Sequence, residues 1–385
     1  MKSAIIIFVG LFSLIYGGSS YYVGIRFLNA LQQMSNPSSF AYWLFFALMS
    51  CSPFAARLGS TRAGLNVPKS LVRLGDYWMA ALYYLFFGWL IVDLLRLITG
   101  MLPFFSVDSN TRLPHVALLL LSLMLVLLAL GTINAKHTRV ARYHISLAGQ
   151  FESPRQLRAV MVSDVHLGRT IEAERLRSLV QQVNALEPDV IFLPGDIIDG
   201  DVDYYESQGM DVILSGMSAQ HGVYAVLGNH EYLGGGDAAA EQLARAGVTV
   251  LRDQSLTIPG MFNVVGRDDR MSSRFTGVAR LDLSEIVLGI DVSLPTILLD
   301  HQPYDLHEAV EAGVNLQLSG HTHYGQFFPN NLITGKLFEQ DWGYLRKGQM
   351  HVVVSCGYGT WGPPIRLGSH SEIVLLDLTL EPSIP

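Results

Sequence analysis

The chain has 385 residues, more than one compact domain usually holds, so at least two units are expected. Half of its residues are hydrophobic and only 15% are charged, against roughly 25% in ordinary soluble domains, and that shortfall points to membrane-embedded segments. A net charge of −7 without a basic stripe or CxxC pairs argues against nucleic-acid binding. Two cysteines, Cys51 and Cys356, give no disulfide framework and fit a reducing compartment.

In chain order, apolar runs at 4–25, 40–56, 77–98 and 116–133 predict about four transmembrane helices within residues 1–135. The first has only Lys2 ahead of it and no small-x-small cleavage site, so it reads as an uncleaved anchor. The second is near the minimum crossing length and contains Pro53. In the third, Asp93 and Arg96 share a helical face near the end of the span, as a local pair or snorkelling charges. Arg57, Arg62, Lys69 and Arg73 follow the second span, and Lys136, Arg139, Arg142, Arg155 and Arg158 follow the fourth. Basic loops stay cytoplasmic, so both termini and the C-terminal half are expected on the cytoplasmic side of a plasma or inner membrane.

Residues 136–156 read as a basic juxtamembrane connector along anionic headgroups. From 157 to 385 short apolar runs alternate with amphipathic segments. Strand-like runs end at Val162, Leu193, Leu227, Leu299, Leu318, Val354 and Leu376. Leu176, Leu179, Val180, Val183 and Leu186 repeat at helical spacing before Pro188, and a second helix is expected from Tyr304 to Ala312. This alternation predicts an α/β layered fold, with functional groups beyond the carboxyl ends of the strands.

The polar residues collect there. Successive strand ends carry Asp164-Val165-His166, Gly195-Asp196-Ile197-Ile198-Asp199, Gly228-Asn229-His230-Glu231, Asp300-His301 and Gly320-His321-Thr322-His323. Residues two apart in extended backbone point the same way, which pairs Asp164 with His166 and His321 with His323. Carboxylates and imidazoles without thiolate suit manganese, iron or zinc. Glycine before Asp196, Asn229 and His321 permits the close backbone approach of a crowded site. Each fragment alone is weak evidence; five in order are not a coincidence of surface polarity.

The series resembles the calcineurin-like metallophosphoesterases, whose pattern is D-x-H, G-D-x-x-D, G-N-H-E/D, H and G-H-x-H. It extends over about Leu157 to Leu376. The run Ser319–Gln326, with Gly357-Tyr358-Gly359-Thr360 and Pro364-Ile365-Arg366, is similar to the branch described as transmembrane metallophosphoesterases; Tyr324 departs from an expected glycine. The resemblance implies a β-sandwich flanked by helices and two divalent metal ions. One ion would be held by Asp164, His166, Asp196 and His323, the other by Asp196, Asn229, His301 and His321, with Asp196 bridging. A metal-bridging hydroxide would attack the phosphorus, and His230 would act as acid or electrostatic stabiliser.

Two divalent ions against Asp164 and Asp196 leave a surplus of positive charge for a phosphate oxyanion. Asp199 and Glu231 read equally as partners that orient the ligands or as a helix cap and a turn acid. Asp300 reads as structural, and His221, His307, His351 and His370 as ordinary histidines. The apolar segment 327–344 either packs on its own sheet or meets the bilayer or an acyl chain. With a membrane anchor, the expected substrate is a lipid or lipid-linked phosphodiester or pyrophosphate; family relatives include hydrolases of UDP-2,3-diacylglucosamine. The competing readings are a membrane-tethered protein phosphatase and a ligand-binding sensor or transporter.

Overall fold

The structure, a computed structural model, describes residues 2–61, 67–101 and 113–382, with the side chains of 2–9 and 56–61 left aside. It divides into two units, Met1–Gly131 and Thr132–Pro385.

The first unit is helical: α1 (Lys2–Gln32), α2 (Ser39–Thr61), α3 (Lys69–Gly100) and most of α4 (Leu113–Lys136). Leucine and alanine favour helix here, and Val23, Phe46, Leu85 and Trp89 form the shared core. Gly75 of α3 lies against Pro53 of α2, where an added Cβ would come within 2.7 Å of backbone. Asp93 takes hydrogen bonds from Tyr22 and Arg26 of α1, and Arg96 stands 3.8 Å away, so the charge at this depth is tied across helices as well as locally. Among the described residues, only α3 and α4 are long and apolar enough to cross a membrane. Two of the four expected spans thus meet this test among the described residues; the apolar part of α2 covers Ser39–Ala55, and α1 includes residues 2–9, whose side chains lie outside the described ones.

The second unit is a mixed α/β fold with two six-stranded sheets. Its strands are β1 (Thr138–Gly149), β2 (Arg155–Met161), β3 (Val190–Pro194), β4 (Val223–Val226), β5 (Thr249–Val250), β6 (Gln254–Ile258), β7 (Phe262–Gly266), β8 (Thr296–Leu299), β9 (Leu316–Ser319), β10 (Gly343–Lys347), β11 (Met350–Val354) and β12 (Ser371–Pro382). The strand orders are β1-β12-β2-β3-β4-β5 and β10-β11-β9-β8-β7-β6. β2 to β5 run parallel, as do β7, β8, β9 and β11.

Alternate side chains explain the layering. Ala159 and Met161 of β2 meet Phe262, Val264, Leu316 and Leu318 between the sheets, whereas Val160 faces the helical side. There α5 (Ala173–Asn184) packs Leu176, Leu179 and Val183, all fully buried, each contributing about 1.5–3 kcal/mol. The segment 136–156, read as a connector, is corrected by the structure: most of it is β1, paired with β12 over its whole length. Ile145 and Leu147 point inward, while Arg142 reaches Asp377 at 3.4 Å. Its alternation is a strand signal that its basic residues obscure in the sequence.

Candidate metal centre

Every motif follows the carboxyl end of a parallel strand: Asp164 and His166 after β2, Asp196 after β3, Asn229 and His230 after β4, His301 after β8, and His321 and His323 after β9. The two sheets therefore deliver their polar ends to one place. Asp164, His166, Asp196, His321 and His323 all have φ between 50° and 71°, a left-handed conformation that costs non-glycine residues energy and is held by the surrounding packing. Glycines make room. A Cβ on Gly228 would lie 2.2 Å from Asp196 Oδ1, and one on Gly320 2.2 Å from Asp164 Oδ2. Tyr324, where glycine was expected, has φ 48°, the backbone conformation that glycine adopts most cheaply.

Two clusters form. Ligand atoms of Asp164, His166 and His323 lie within 4.8 Å of one another, as do those of Asp196, His301 and His321. His166 Nε2 stands 3.0 Å from His323 Nε2, and His323 Nε2 is 3.4 Å from Asp164 Oδ1. Asp196 Oδ2 is 3.2 Å from His301 Nε2 and 3.9 Å from His166 Nε2, so one oxygen faces both clusters. Its Oδ1 accepts the His230 backbone N–H at 2.9 Å. Asn229 Oδ1 is 3.3 Å from His301 Nε2. Because Pro194 O can only accept, His301 Nδ1 donates to it at 2.9 Å, leaving Nε2 turned toward Asp196.

The electrostatics suit cations. Burial, then His301, lowers the His321 pKa to about 3. Burial, then His166 and Arg366, holds His323 well below its ordinary value, so both rings are neutral with a lone pair to give. Burial opposes charge on His301, but Asp196 outweighs it and holds that imidazole well above its usual range. Burial would also raise Asp196; His301, His230 and His166 instead hold it well below the carboxylate range. Nitrogen and carboxylate donors converging in this way fit two divalent ions.

Around the clusters, Asp199 Oδ1 is 2.6 Å from His230 Nδ1 and 3.5 Å from His166 Nδ1. Burial lowers and Asp199 and Asp196 raise the His230 pKa, to a net value of about 9. Glu231 is fully buried and accepts the backbone N–H groups of Asp196, Ile197, Ile198 and Gly228. It orients the turn carrying Asp196 rather than a side chain. Asp300 is structural, paired with Arg280 at 3.2 Å and Arg267 at 3.6 Å.

Arg366 received no role from sequence reasoning, although a lone arginine in a glycine- and proline-rich run was the signal. It is fully buried, donates to Gly357 O at 3.0 Å and Gly359 O at 2.6 Å, and reaches His323 Nδ1 at 3.2 Å. Cys356, His370 and Glu372 also cluster, but their polar atoms are used internally: Glu372 accepts from Ser355, Trp342 and the Cys356 N–H, and lies 3.1 Å from His370 Nε2. A cleft of about 360 Å³ opens over Asp196, Asn229, His230, His321 and His323, walled by Asn330, Thr334, Phe338 and Trp361.

Residues 157–325 match the calcineurin-like phosphoesterase model. A metallophosphoesterase of Aquifex aeolicus is 31% identical over 66% of this chain and 98% of its own length. The chain belongs to the calcineurin-like phosphoesterase family. It is a metal-dependent phosphoester hydrolase. A Campylobacter jejuni metallophosphoesterase is 30% identical over 79% of this chain and 83% of its own. A Bos taurus transmembrane protein with metallophosphoesterase domain is 31% identical over 72% of this chain and 65% of its own.

Proposed function

We propose that this calcineurin-like phosphoesterase is membrane-anchored, holds a binuclear metal centre, and cleaves a phosphodiester or pyrophosphate bond in a lipid or lipid-linked nucleotide. The observation that carries the binuclear reading is Asp196, whose Oδ2 faces His301 on one side and His166 on the other at 3.2 and 3.9 Å. Asp164, His166, Asp196 and His323 would hold one ion; Asp196, Asn229, His301 and His321 would hold the other. When bound, two such ions lower the pKa of water and clamp phosphate oxygens. His230 borders the cleft with its Nδ1 tied to Asp199, so its Nε2 is the free edge that can protonate a leaving oxygen.

The lipid part is supported by α3 and α4, which have the length and composition to cross a membrane, and by the apolar Phe338 and Trp361 beside the cleft. The basic residues at 57–73 and 136–158 support a multi-pass chain with this unit on the cytoplasmic side. The test is turnover of bis-p-nitrophenyl phosphate and of a panel of lipids and nucleotide-linked lipids, with manganese, iron or zinc and an EDTA control. His230→Ala is expected to lower kcat by about 10²–10⁴-fold, and Asp196→Ala to abolish metal-dependent turnover. Hydrolysis indifferent to both substitutions and to EDTA sinks the proposal; phosphopeptide turnover above lipid turnover redirects it to a protein phosphatase.

A further inference from the structure

The short helix Asn331–Leu337 has its polarity reversed. It contains no buried residue, yet Leu332, Ile333 and Leu337 are 58%, 56% and 65% exposed. At 3.6 residues per turn these three and Lys336 occupy one face about 140° wide. Thr334, on the other side, bonds Asp341 at 2.7 Å and lines the catalytic cleft. Phe328 and Trp361 extend the apolar surface, at 54% and 41% exposed. Of the two readings that the sequence left open for 327–344, packing on the unit's own sheet therefore leaves this helix face unexplained.

Hydrogen bonds within this unit link the patch to residues 132–136, which begin it. Asn134, on the last turn of α4, donates to Arg366 O and Ser369 O at 3.0 and 2.6 Å. Leu367, between them, accepts the Phe328 N–H at 2.7 Å. Three covalent or hydrogen-bonded links thus join Asn134 to Phe328 within this unit. Basic residues flank both parts: Lys136, His137 and Arg139 are exposed at the end of α4, and Lys336 is exposed on the helix. Apolar side chains with a lysine on the same helix face and a tryptophan match the chemistry of an anionic lipid interface.

We infer that Phe328, Leu332, Ile333, Leu337 and Trp361 form a bilayer-contacting surface that holds the mouth of the cleft at the headgroup layer. This rests on the membrane-anchored part of the function proposed above and not on hydrolysis. One helix is then both a wall of the cleft and a foot on the membrane, so a phosphoester at headgroup depth can enter without its acyl chains leaving the bilayer.

The experiment uses the full chain, with Cys51→Ser, in nanodiscs of phosphatidylcholine and phosphatidylglycerol. Leu332→Cys and Ile333→Cys carry an environment-sensitive fluorophore, and brominated acyl chains serve as quencher. Val212→Cys and Val292→Cys, 72% and 92% exposed elsewhere on the unit, are the controls. Quenching at 332 and 333 is expected to exceed that at 212 and 292 by about twofold or more. Equal quenching at all four positions, in variants that unfold at the parent temperature, overturns the inference. So does energy transfer between labelled copies without lipid quenching, which assigns the face to a second copy of the chain. Quenching that persists in a hydrolytically inactive chain supports the surface while refuting the activity.

Discussion

Glu231→Gln isolates one structural device of this site. The Glu231 carboxylate accepts four backbone N–H groups: Ile197 and Ile198 on Oε1 at 2.5 and 2.7 Å, and Gly228 and Asp196 on Oε2 at 2.8 and 3.0 Å. Glutamine keeps the shape but only one oxygen. Two N–H groups would then face an NH₂ donor in a fully buried position. At about 1–3 kcal/mol for each buried donor left unpaired, the loss is about 2–6 kcal/mol. For a unit of this size that corresponds to a fall in Tm on the order of 5–20 °C. Because Asp196 is carried by the same turn, metal affinity is expected to fall about 10–100-fold as well. Burial and the Asp196 carboxylate raise the Glu231 pKa to about 7, so the comparison belongs above that pH, where the parent side chain is ionised. The assays are thermal unfolding of the detergent-solubilised chain and chelator-competition titration of metal. A Tm within about 1 °C of the parent, with unchanged metal affinity, would falsify the claim that this carboxylate holds the turn.

Three further outcomes follow from other contacts. Arg366→Gln removes the donors to Gly357 O, Gly359 O and His323 Nδ1, and should weaken metal binding by about 10–100-fold, with Arg366→Lys intermediate; equal titrations for all three proteins count against it. In metal-free protein, burial would raise Asp199, but His166 and His230 bring it down to about 2, while His230 itself is raised from 6.5 to about 9. The His230 contribution to stability is therefore complete below pH 6.5 and lost as pH rises to about 9; that of Asp199 is present above pH 3.8 and lost as pH falls to about 2. Asp199→Asn should flatten the Tm profile in the alkaline window, and an unchanged slope there contradicts the pairing. Gly228→Ala places a Cβ 2.2 Å from Asp196 Oδ1 and 2.6 Å from its backbone N, so Asp196 must move, and turnover should fall on the order of 10²-fold; a fully active variant shows that the approach is not this tight.

The ligand series was legible in the sequence because each motif is local: a strand end, a glycine and a polar residue within four positions. The same locality made the α/β alternation and helix α5 readable. The joint placement was a tertiary matter. His166 and His323 are 157 residues apart and meet at 3.0 Å only because β2 and β9, in different sheets, end side by side. Asp196 faces both clusters for the same reason.

What sequence reasoning missed has particular physical causes. β1 was hidden because its alternation is written in arginines and histidines, and its partner β12 lies more than two hundred residues away. The contacts of Glu231 are not legible in the sequence because its partners are backbone N–H groups, which no side-chain pattern encodes. The role of Arg366, quoted only as part of a motif, is not legible because a buried cation satisfied by carbonyl oxygens has no charged partner to advertise it. Hydropathy counted four apolar runs, whereas helix length and composition leave two candidate spans among the described residues. By itself, then, the sequence determined the donors and the chemistry they suit, since those depend on residue type and local spacing. Only the tertiary structure decided which donors share a cluster, which carboxylate stands between them, and which apolar side chains face outward, because each depends on chain segments brought together from far apart.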